Sequence, residues 1–222
     1  MHAKEENIQA APYAKITAFV TRERDEKREL LVFRHPSAGV QLPAGSVELG
    51  EDPAAAALRE VTEETGLTNI ALNAFLGVRI YPLPDSGRIL TRSVALLDSP
   101  DGVPPGNAFL RRGLTVHELE RLGDYSRIEF REYEMRAGAL EIAAVLASGW
   151  AASADLSASV ERFFYHIQAH EATPDEWTWF AEDEHDFQCY WVPLSQDPGL
   201  VNGQDQWLAW FVDRLRDKHD PR

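Results

Sequence analysis

The stretch LPAGSVELGEDPAAAALREVTEETGL, residues 42–67, decides how this chain is interpreted. It predicts a helix over Pro53–Thr65, because Asp52 is a favourable N-cap and proline is favoured at the first helical position. That helix carries Glu60 and Glu64 one turn apart, and like charges at this spacing destabilise a helix. A cation bound between the carboxylates would remove the repulsion.

The acidic residues of the helix share one arc of its surface. At about 100° per residue, Glu60, Glu63 and Glu64 lie within an arc about 100° wide. A neighbouring stripe of small and apolar residues can pack closely on a sheet: Ala54, Ala57, Leu58, Val61 and Thr65. Three carboxylates on one arc form a hard-oxygen cluster, which favours Mg²⁺ or Mn²⁺ over zinc. A solvated acidic helix face would carry the same three residues, so this pattern alone leaves both interpretations open.

Three further residues of the stretch favour an ion-binding site. Gly45 lies in the loop before the helix, where the backbone can come close to an ion. Glu51 stands just before the N-cap. Arg59 can orient a carboxylate through a forked hydrogen bond.

Together these residues resemble the signature of the Nudix hydrolases, G-x5-E-x7-R-E-U-x-E-E-x-G-U, where U is aliphatic. Every fixed position of that signature is met: Gly45, Glu51, Arg59, Glu60, Val61, Glu63, Glu64, Gly66 and Leu67. Nine fixed positions at set spacings make the resemblance highly specific.

The resemblance implies a fold, an activity and a set of roles. The fold is an α/β protein of the α+β type, an α/β/α sandwich around a mixed sheet. The activity is metal-dependent hydrolysis of a nucleoside diphosphate linked to another group. Glu60, Glu63 and Glu64 resemble the metal ligands, with the Gly45 carbonyl as a further ligand. Arg59 and Glu51 resemble the residues that support them.

The general base and the substrate are less well defined. Glu63 is one candidate for the base, and family members often use an acid from a loop outside the signature. The segment FAEDEHDF offers Glu182 and Glu184 for that role, although an acidic turn exposed to solvent would have the same composition.

Three residues on predicted strands are weaker candidates for contacting the substrate. Arg79 and Arg92 could hold a distal phosphate, and each could equally be a surface charge. Tyr81 precedes Pro82, whose distance from the signature resembles the marker of ADP-ribose-type members. A strand that ends in a turn would also explain this pair. Trp177, Trp179 and Phe180 could stack on a base or belong to the core.

Composition limits the class of partner. The 222 residues include 36 acids and 22 bases, a formal net charge of -14, which disfavours binding to a nucleic-acid backbone. The single cysteine, Cys189, excludes an intrachain disulfide. No apolar stretch has the length and uniformity of a membrane span. We therefore expect a cytoplasmic protein with a nucleotide-like small-molecule substrate, and the sequence leaves open whether it forms a homodimer.

The rest of the chain predicts one Nudix-fold domain, residues 1–222, with an insertion or elaboration at about 99–159. A hairpin is expected at Ile16–Arg22 and Glu29–Arg34, long strands over 69–83 and 88–98, and a C-terminal amphipathic helix. Within the insertion, TVHELERLG is typical of a short helix capped by Thr115. The segment AGALEIAAVLASG could be helix or strand.

Two other functions fit the fold. A nucleotide-sensing module without catalysis is one, but such proteins usually carry a damaged signature and often a basic DNA-binding domain. An isomerase of prenyl diphosphates is the other, and it needs a cysteine and a glutamate on opposite faces of the substrate. Cys189, in a late predicted strand, is the only cysteine that could serve.

Overall fold

A computed structural model describes residues 12–104, 109–136, 139–170, 172–181 and 186–217. Within them the chain forms two α-helices, α1 (Pro53–Thr65) and α2 (Gln204–Arg216), and a 3-10 turn at Ser153–Asp155. The strands of the described residues are β1 (Tyr13–Arg24), β2 (Lys27–His35), β3 (Gly39–Gln41), β4 (Ala44–Ser46), β5 (Ile70–Pro82), β6 (Gly87–Leu90), β7 (Val94–Ala95), β8 (Phe109–Leu110), β9 (Thr115–Leu122), β10 (Tyr125–Arg136), β11 (Ala139–Ala152), β12 (Leu156–Ser157), β13 (Ser159–Ala169), β14 (Glu176–Phe180) and β15 (Asp186–Pro193). The predicted α+β class is confirmed.

The described residues group into two compact units. The helical unit comprises those of Ala14–Arg79 and Arg162–Arg222, and the β unit comprises those of Ile80–Glu161 together with the chain up to Tyr13. The boundary between the two units falls within β1, β5 and β13. The expectation of one domain with an insertion at about 99–159 stays a prediction.

In the described part of the helical unit, a sheet carries one helix on each face. Its strand order is β14-β15-β2-β1-β13-β5, with β3 beside β2 and β4 beside β1. Successive side chains of a strand point to opposite faces, so Ile16 and Val20 of β1 pack with Val61 of α1, while Phe19 packs with Phe211 of α2. The sequence prediction of an α/β/α sandwich is confirmed by this arrangement. Among the described residues, no helix is long and apolar enough to cross a membrane.

The first hairpin is longer than the sequence predicts. Its strands continue to a two-residue turn at Asp25 and Glu26, where Arg24 pairs with Lys27. Both turn residues have positive φ, 48° and 62°, as a tight hairpin turn of the I′ type requires. Residues 23–28, between the two predicted strands, therefore belong to β1 and β2 except for the two turn residues.

A short strand places the glycine of the signature next to the sheet. Residues 44–51 were expected to be a loop, but β4 pairs antiparallel with the start of β1, with Gly45 opposite Ile16 and Ser46 opposite Lys15. The helix α1 follows on the same face of the sheet as Ile16. Gly45 is thereby fixed by backbone hydrogen bonds beside the helix that carries the carboxylates.

The β unit has its own sheet and core. Its five strands follow the order β11-β10-β9-β6-β12, and β7 pairs with β8 separately. The buried side chains that fill this core are Leu90, Val94, Leu96, Leu110, Val116, Ile128, Ala151 and Leu156.

Three predictions fall within the β unit. The helix expected from Thr115 is wrong: this segment is β9, which pairs with both β6 and β10. Val116 is the one buried residue of β9, and pairing with two neighbouring strands determines the conformation of this segment in spite of its local helical spacing. The single strand predicted over 88–98 is interrupted: β6 ends at Leu90, and β7 begins at Val94 and pairs with β8 instead of with the five-stranded sheet. The ambiguous segment AGALEIAAVLASG lies, from Ala139 onward, in strand β11.

Candidate active site

Helix α1 begins and ends at the residues that the sequence predicts. The Asp52 carboxylate accepts hydrogen bonds from the N–H groups of Ala54 and Ala55, at 2.9 and 3.2 Å. At the other end, Gly66 adopts the left-handed conformation, with φ of 77°, which favours glycine because it has no Cβ. These caps fix which residues face the sheet and which carry the carboxylates.

A single guanidinium joins the carboxylates of the signature. Arg59 donates two parallel hydrogen bonds to Glu51, from Nε to Oε1 at 2.8 Å and from Nη2 to Oε2 at 2.9 Å. Its Nη1 donates to Glu60 Oε1 at 2.9 Å and to Glu63 Oε2 at 2.8 Å. Nη2 also donates to the Ser46 carbonyl at 3.0 Å, which ties the helix to β4. Arg59 therefore fixes the positions of three acidic side chains relative to the strand.

The pKa values around this arginine follow from its contacts. Hydrogen bonding from Arg59 lowers the pKa of Glu51. Burial raises the pKa of Glu60, although Arg59 acts in the opposite direction. The pKa values of Glu51 and Glu60 therefore shift in opposite directions because Glu60 is the more desolvated. An additional cation beside Glu60 would favour its ionised form.

Gly45 leaves room for the Glu60 carboxylate. A Cβ built on Gly45 would overlap that carboxylate, and its three nearest atoms all belong to Glu60. The neighbouring Ala44 donates its backbone N–H to Glu64 Oε2 at 2.9 Å. Strand β4 thus contacts two of the three candidate ligand carboxylates. Gly45 has no side chain and leaves space for Glu60, and Ala44 forms a backbone hydrogen bond with Glu64.

The donor set fits a hard divalent cation, although the carboxylates do not enclose a common point. Among the described residues, no three or more Asp, Glu, His or Cys side chains are arranged to hold an ion. Instead, Arg59 Nη1 lies between Glu60 and Glu63. These two carboxylates already face one cationic group, and the absence of a side chain at Gly45 lets the backbone approach Glu60. Oxygen-only ligands of this kind suit Mg²⁺ or Mn²⁺.

Lys15 is a charged residue of the site that the sequence analysis missed. It lies on β1 opposite Ser46. Burial lowers its pKa, as does Arg162, and Glu60 partly opposes them. The available signal was a lysine inside an apolar strand whose pairing places it beside Gly45, but that pairing is not visible in the sequence.

The predicted substrate-contacting residues lie in different places. The Arg79 guanidinium stacks over the Trp210 ring at 5.0 Å, against α2, which packs on the opposite face of the sheet from α1. In the β unit, Arg92 forms an ion pair with Asp155 at 3.0 Å. The Tyr81 hydroxyl is buried without a hydrogen-bond partner in the described residues.

The remaining predicted residues divide between the described and undescribed parts of the chain. Glu182 and Glu184, the alternative bases, lie outside the described residues. The indole N–H groups of Trp177 and Trp179 donate to the Thr65 and Glu63 carbonyls of α1, each at 2.8 Å. These two tryptophans therefore contact the helix that carries the carboxylates.

The described residues of the helical unit line at least two cavities. One of about 360 Å³ adjoins one of the candidate carboxylates, with Glu63 and Arg59 among its lining residues. A larger one, about 560 Å³, is lined by Arg22 and Arg24 at the far end of β1. Arg22 lies six residues along the strand from Ile16, which pairs with Gly45, so the distance is about 20 Å. The smaller cavity is the one next to the candidate chemistry.

Comparison with known proteins gives one family. The model of the NUDIX domain matches residues 13–125, just over half of the chain. Proteins named RNA pyrophosphohydrolase from Brucella ovis and Brucella abortus are 59% identical over 32 residues. That match covers 14% of this chain and 18% of those proteins, so the chain matches less than a fifth of their length.

Similar solved structures cover most of the chain at low identity. The C. elegans Ap4A hydrolase is 13% identical over 92% of this chain and 99% of its own, with a TM-score of 0.39. A NUDIX hydrolase from Nitrosomonas europaea is 15% identical over 90% of both chains, with a TM-score of 0.40. The NUDIX domain of Shewanella oneidensis NrtR, solved with ADP ribose, is 12% identical over 95% of this chain and 93% of its own, with a TM-score of 0.39. On the match of the domain model, the chain belongs to the Nudix family.

Proposed function

We propose that this protein is a metal-dependent pyrophosphohydrolase. It uses water to cleave the diphosphate linkage of a nucleoside diphosphate joined to another group. The observation that supports this most strongly is the set of hydrogen bonds from Arg59 to Glu51, Glu60 and Glu63 beside Gly45. Holding acidic side chains together costs electrostatic energy, and cation binding would offset that cost.

Glu60, Glu63, Glu64 and the Gly45 carbonyl would hold Mg²⁺ or Mn²⁺. Such an ion, when bound, neutralises charge on the phosphate oxygens and lowers the pKa of a bound water. The burial that raises the pKa of Glu60 leaves that carboxylate poorly solvated. Its ionised form therefore gains more from a nearby cation than a fully hydrated carboxylate would.

The chain's own residues divide the remaining work. Arg59 fixes the orientation of Glu60 and Glu63 through Nη1, and the strand fixes Glu64 through Ala44. Glu63 is a candidate for the base that would take a proton from the attacking water. Lys15 adds a positive charge beside the cluster, which favours an anionic substrate.

The substrate class is tested by a panel of diphosphate compounds with Mg²⁺. The panel contains ADP-ribose, sugar nucleotides, dinucleoside polyphosphates and nucleoside triphosphates. It also contains RNA with a 5′-triphosphate, since the Brucella relatives are named RNA pyrophosphohydrolases. The net charge of -14 favours a small nucleotide over RNA, because an acidic surface repels a polyanion.

The decisive variant in this panel is Glu64→Gln, with Glu120→Gln as control. Glu120 is exposed in the β unit and pairs loosely with Arg127 at 3.8 Å, so its replacement should leave turnover unchanged. Turnover by the wild type that is lost in Glu64→Gln supports the proposal. Tight nucleotide binding without turnover by the wild type would contradict it and favour a sensing role.

A further inference from the structure

The C-terminal end of α1 has an unusual set of hydrogen-bond partners. The last four carbonyl groups of a helix have no partner within the helix unless a cap or side chain supplies one. At the end of α1 the Gly66 N–H donates a hydrogen bond to the Thr62 carbonyl at 2.9 Å. The carbonyls of Glu63, Glu64 and Thr65 remain, and two of these residues are candidate metal ligands.

Side chains of the antiparallel pair β14 and β15 donate hydrogen bonds to all three of these carbonyls. Trp179 of β14 donates its indole N–H to the Glu63 carbonyl at 2.8 Å, and Trp177 donates to the Thr65 carbonyl at 2.8 Å. The Cys189 thiol of β15 donates to the Glu64 carbonyl, with 3.8 Å between the sulfur and the oxygen. We call Trp177, Trp179 and Cys189 the hairpin clamp.

The electrostatics of the helix explain why this end needs donors. The C-terminal end of a helix carries partial negative charge, which cations stabilise and anions destabilise. The last turn of α1 has no basic residue and contains Glu63 and Glu64. The N–H groups of the clamp place positive partial charge where the helix has two negative side chains.

Gly66 is adapted to the same contact. Its φ of 77° favours glycine, and a Cβ there would lie 2.6 Å from the Trp179 ring. The aromatic ring therefore lies against the backbone at the helix end. Burial raises the pKa of the Cys189 thiol to about 12, so this third donor keeps its proton at neutral pH.

We propose that Trp177 and Trp179 are positioning residues for the metal-binding carboxylates. They hold the backbone of Glu63 and Thr65, and so set where the side chains of Glu63 and Glu64 point. This inference rests on the proposed function, because positioning matters only if those carboxylates bind an ion. It extends the site from α1 to strand β14, outside the signature and outside residues 13–125, which the domain model matches.

The test compares matched tryptophan variants by direct Mn²⁺ binding, measured by electron paramagnetic resonance without substrate. Trp179→Phe keeps an aromatic ring over Gly66 and removes the N–H donor. Trp210→Phe is the control, because Trp210 is 39% exposed and Trp179 is 38% exposed, and Trp210 lies on α2. Trp177→Phe is a second clamp variant in case Trp179→Phe does not fold.

We expect the Mn²⁺ dissociation constant to rise about three- to tenfold in a folded clamp variant, the equivalent of one neutral hydrogen bond. Trp210→Phe should bind Mn²⁺ as the wild type does. Equal affinity in wild type and a folded clamp variant would overturn the inference.

A wild type that binds no Mn²⁺ would count against the proposed function instead. The clamp then has an independent test in hydrogen exchange. The amides of the last turn of α1 should exchange faster in Trp179→Phe than in Trp210→Phe. Unchanged exchange would refute the clamp whether or not the protein binds metal.

Discussion

Replacing Gly45 by alanine tests the geometry of the site with one added carbon atom. Gly45 of β4 pairs with Ile16 of β1. Its φ lies outside the left-handed region, so the backbone itself accepts alanine. The added Cβ would overlap the Glu60 carboxylate. Because that carboxylate is the end of a flexible side chain, we expect Glu60 to move rather than the strand.

The cost follows from the hydrogen bond that Glu60 loses. Arg59 Nη1 donates to Glu60 at 2.9 Å, and the two side chains are 27% and 13% exposed. A charge-assisted hydrogen bond contributes about 1.5–3 kcal/mol, and partial exposure favours the lower end of that range. We therefore expect Gly45→Ala to lower the free energy of unfolding by about 1.5 kcal/mol.

A double-mutant cycle measured by urea unfolding isolates this contact. In a Glu60→Ala background the carboxylate is absent, so the Gly45→Ala change should cost less than about 0.5 kcal/mol. Mn²⁺ affinity should fall in Gly45→Ala, because a displaced Glu60 no longer faces Glu63. An equal cost in both backgrounds, or an unchanged Mn²⁺ affinity, would refute the reasoning.

Three further predictions concern the elements around the site. Arg59 holds the pKa of Glu51 below its ordinary value, so the ionised carboxylate stabilises the fold above the unfolded-state pKa and loses that effect as pH falls through the folded-state pKa. Urea unfolding across pH should therefore show that Glu51→Gln costs about 2 kcal/mol at pH 7 and nothing in acid. Gly66→Ala should cost about 2 kcal/mol in thermal unfolding from φ strain and quench or shift Trp179 fluorescence, and an unchanged emission would contradict the contact. Arg22→Met should cost about 3 kcal/mol in urea unfolding, because it leaves the partly buried Glu29 carboxylate without its ion pair. It should leave Mn²⁺ affinity unchanged at the other end of β1, and a lower affinity would count against that separation.

The parts that the sequence predicted correctly depend on local signals. Helix α1 has its N-cap, its proline and its C-terminal glycine within the segment itself, and the structure confirms each of them. The short run of β-branched and apolar residues in β1 likewise predicts a strand, which the structure confirms. The acidic arc is also local, because the spacing of Glu60, Glu63 and Glu64 is sufficient to place them together on a helix.

The parts that it missed depend on pairing between distant segments. Strand β4 is three residues long and exists because Gly45 pairs with Ile16, which no local pattern records. Strand β9 was predicted as a helix for the same reason, since two neighbouring strands determine its conformation. The contact between Trp179 and Glu63 joins residues 116 positions apart, so only the folded chain shows it.

Diffraction from crystals containing Mn²⁺, measured for anomalous scattering, tests the central claim most directly. The account predicts a manganese peak beside Gly45, with Glu60, Glu63 and Glu64 as ligands, and Arg59 Nη1 moved away from at least one of the carboxylates that it now joins. A peak elsewhere, or no peak at saturating Mn²⁺ while Arg59 still joins Glu60 and Glu63, would contradict the claim that these carboxylates form a metal centre.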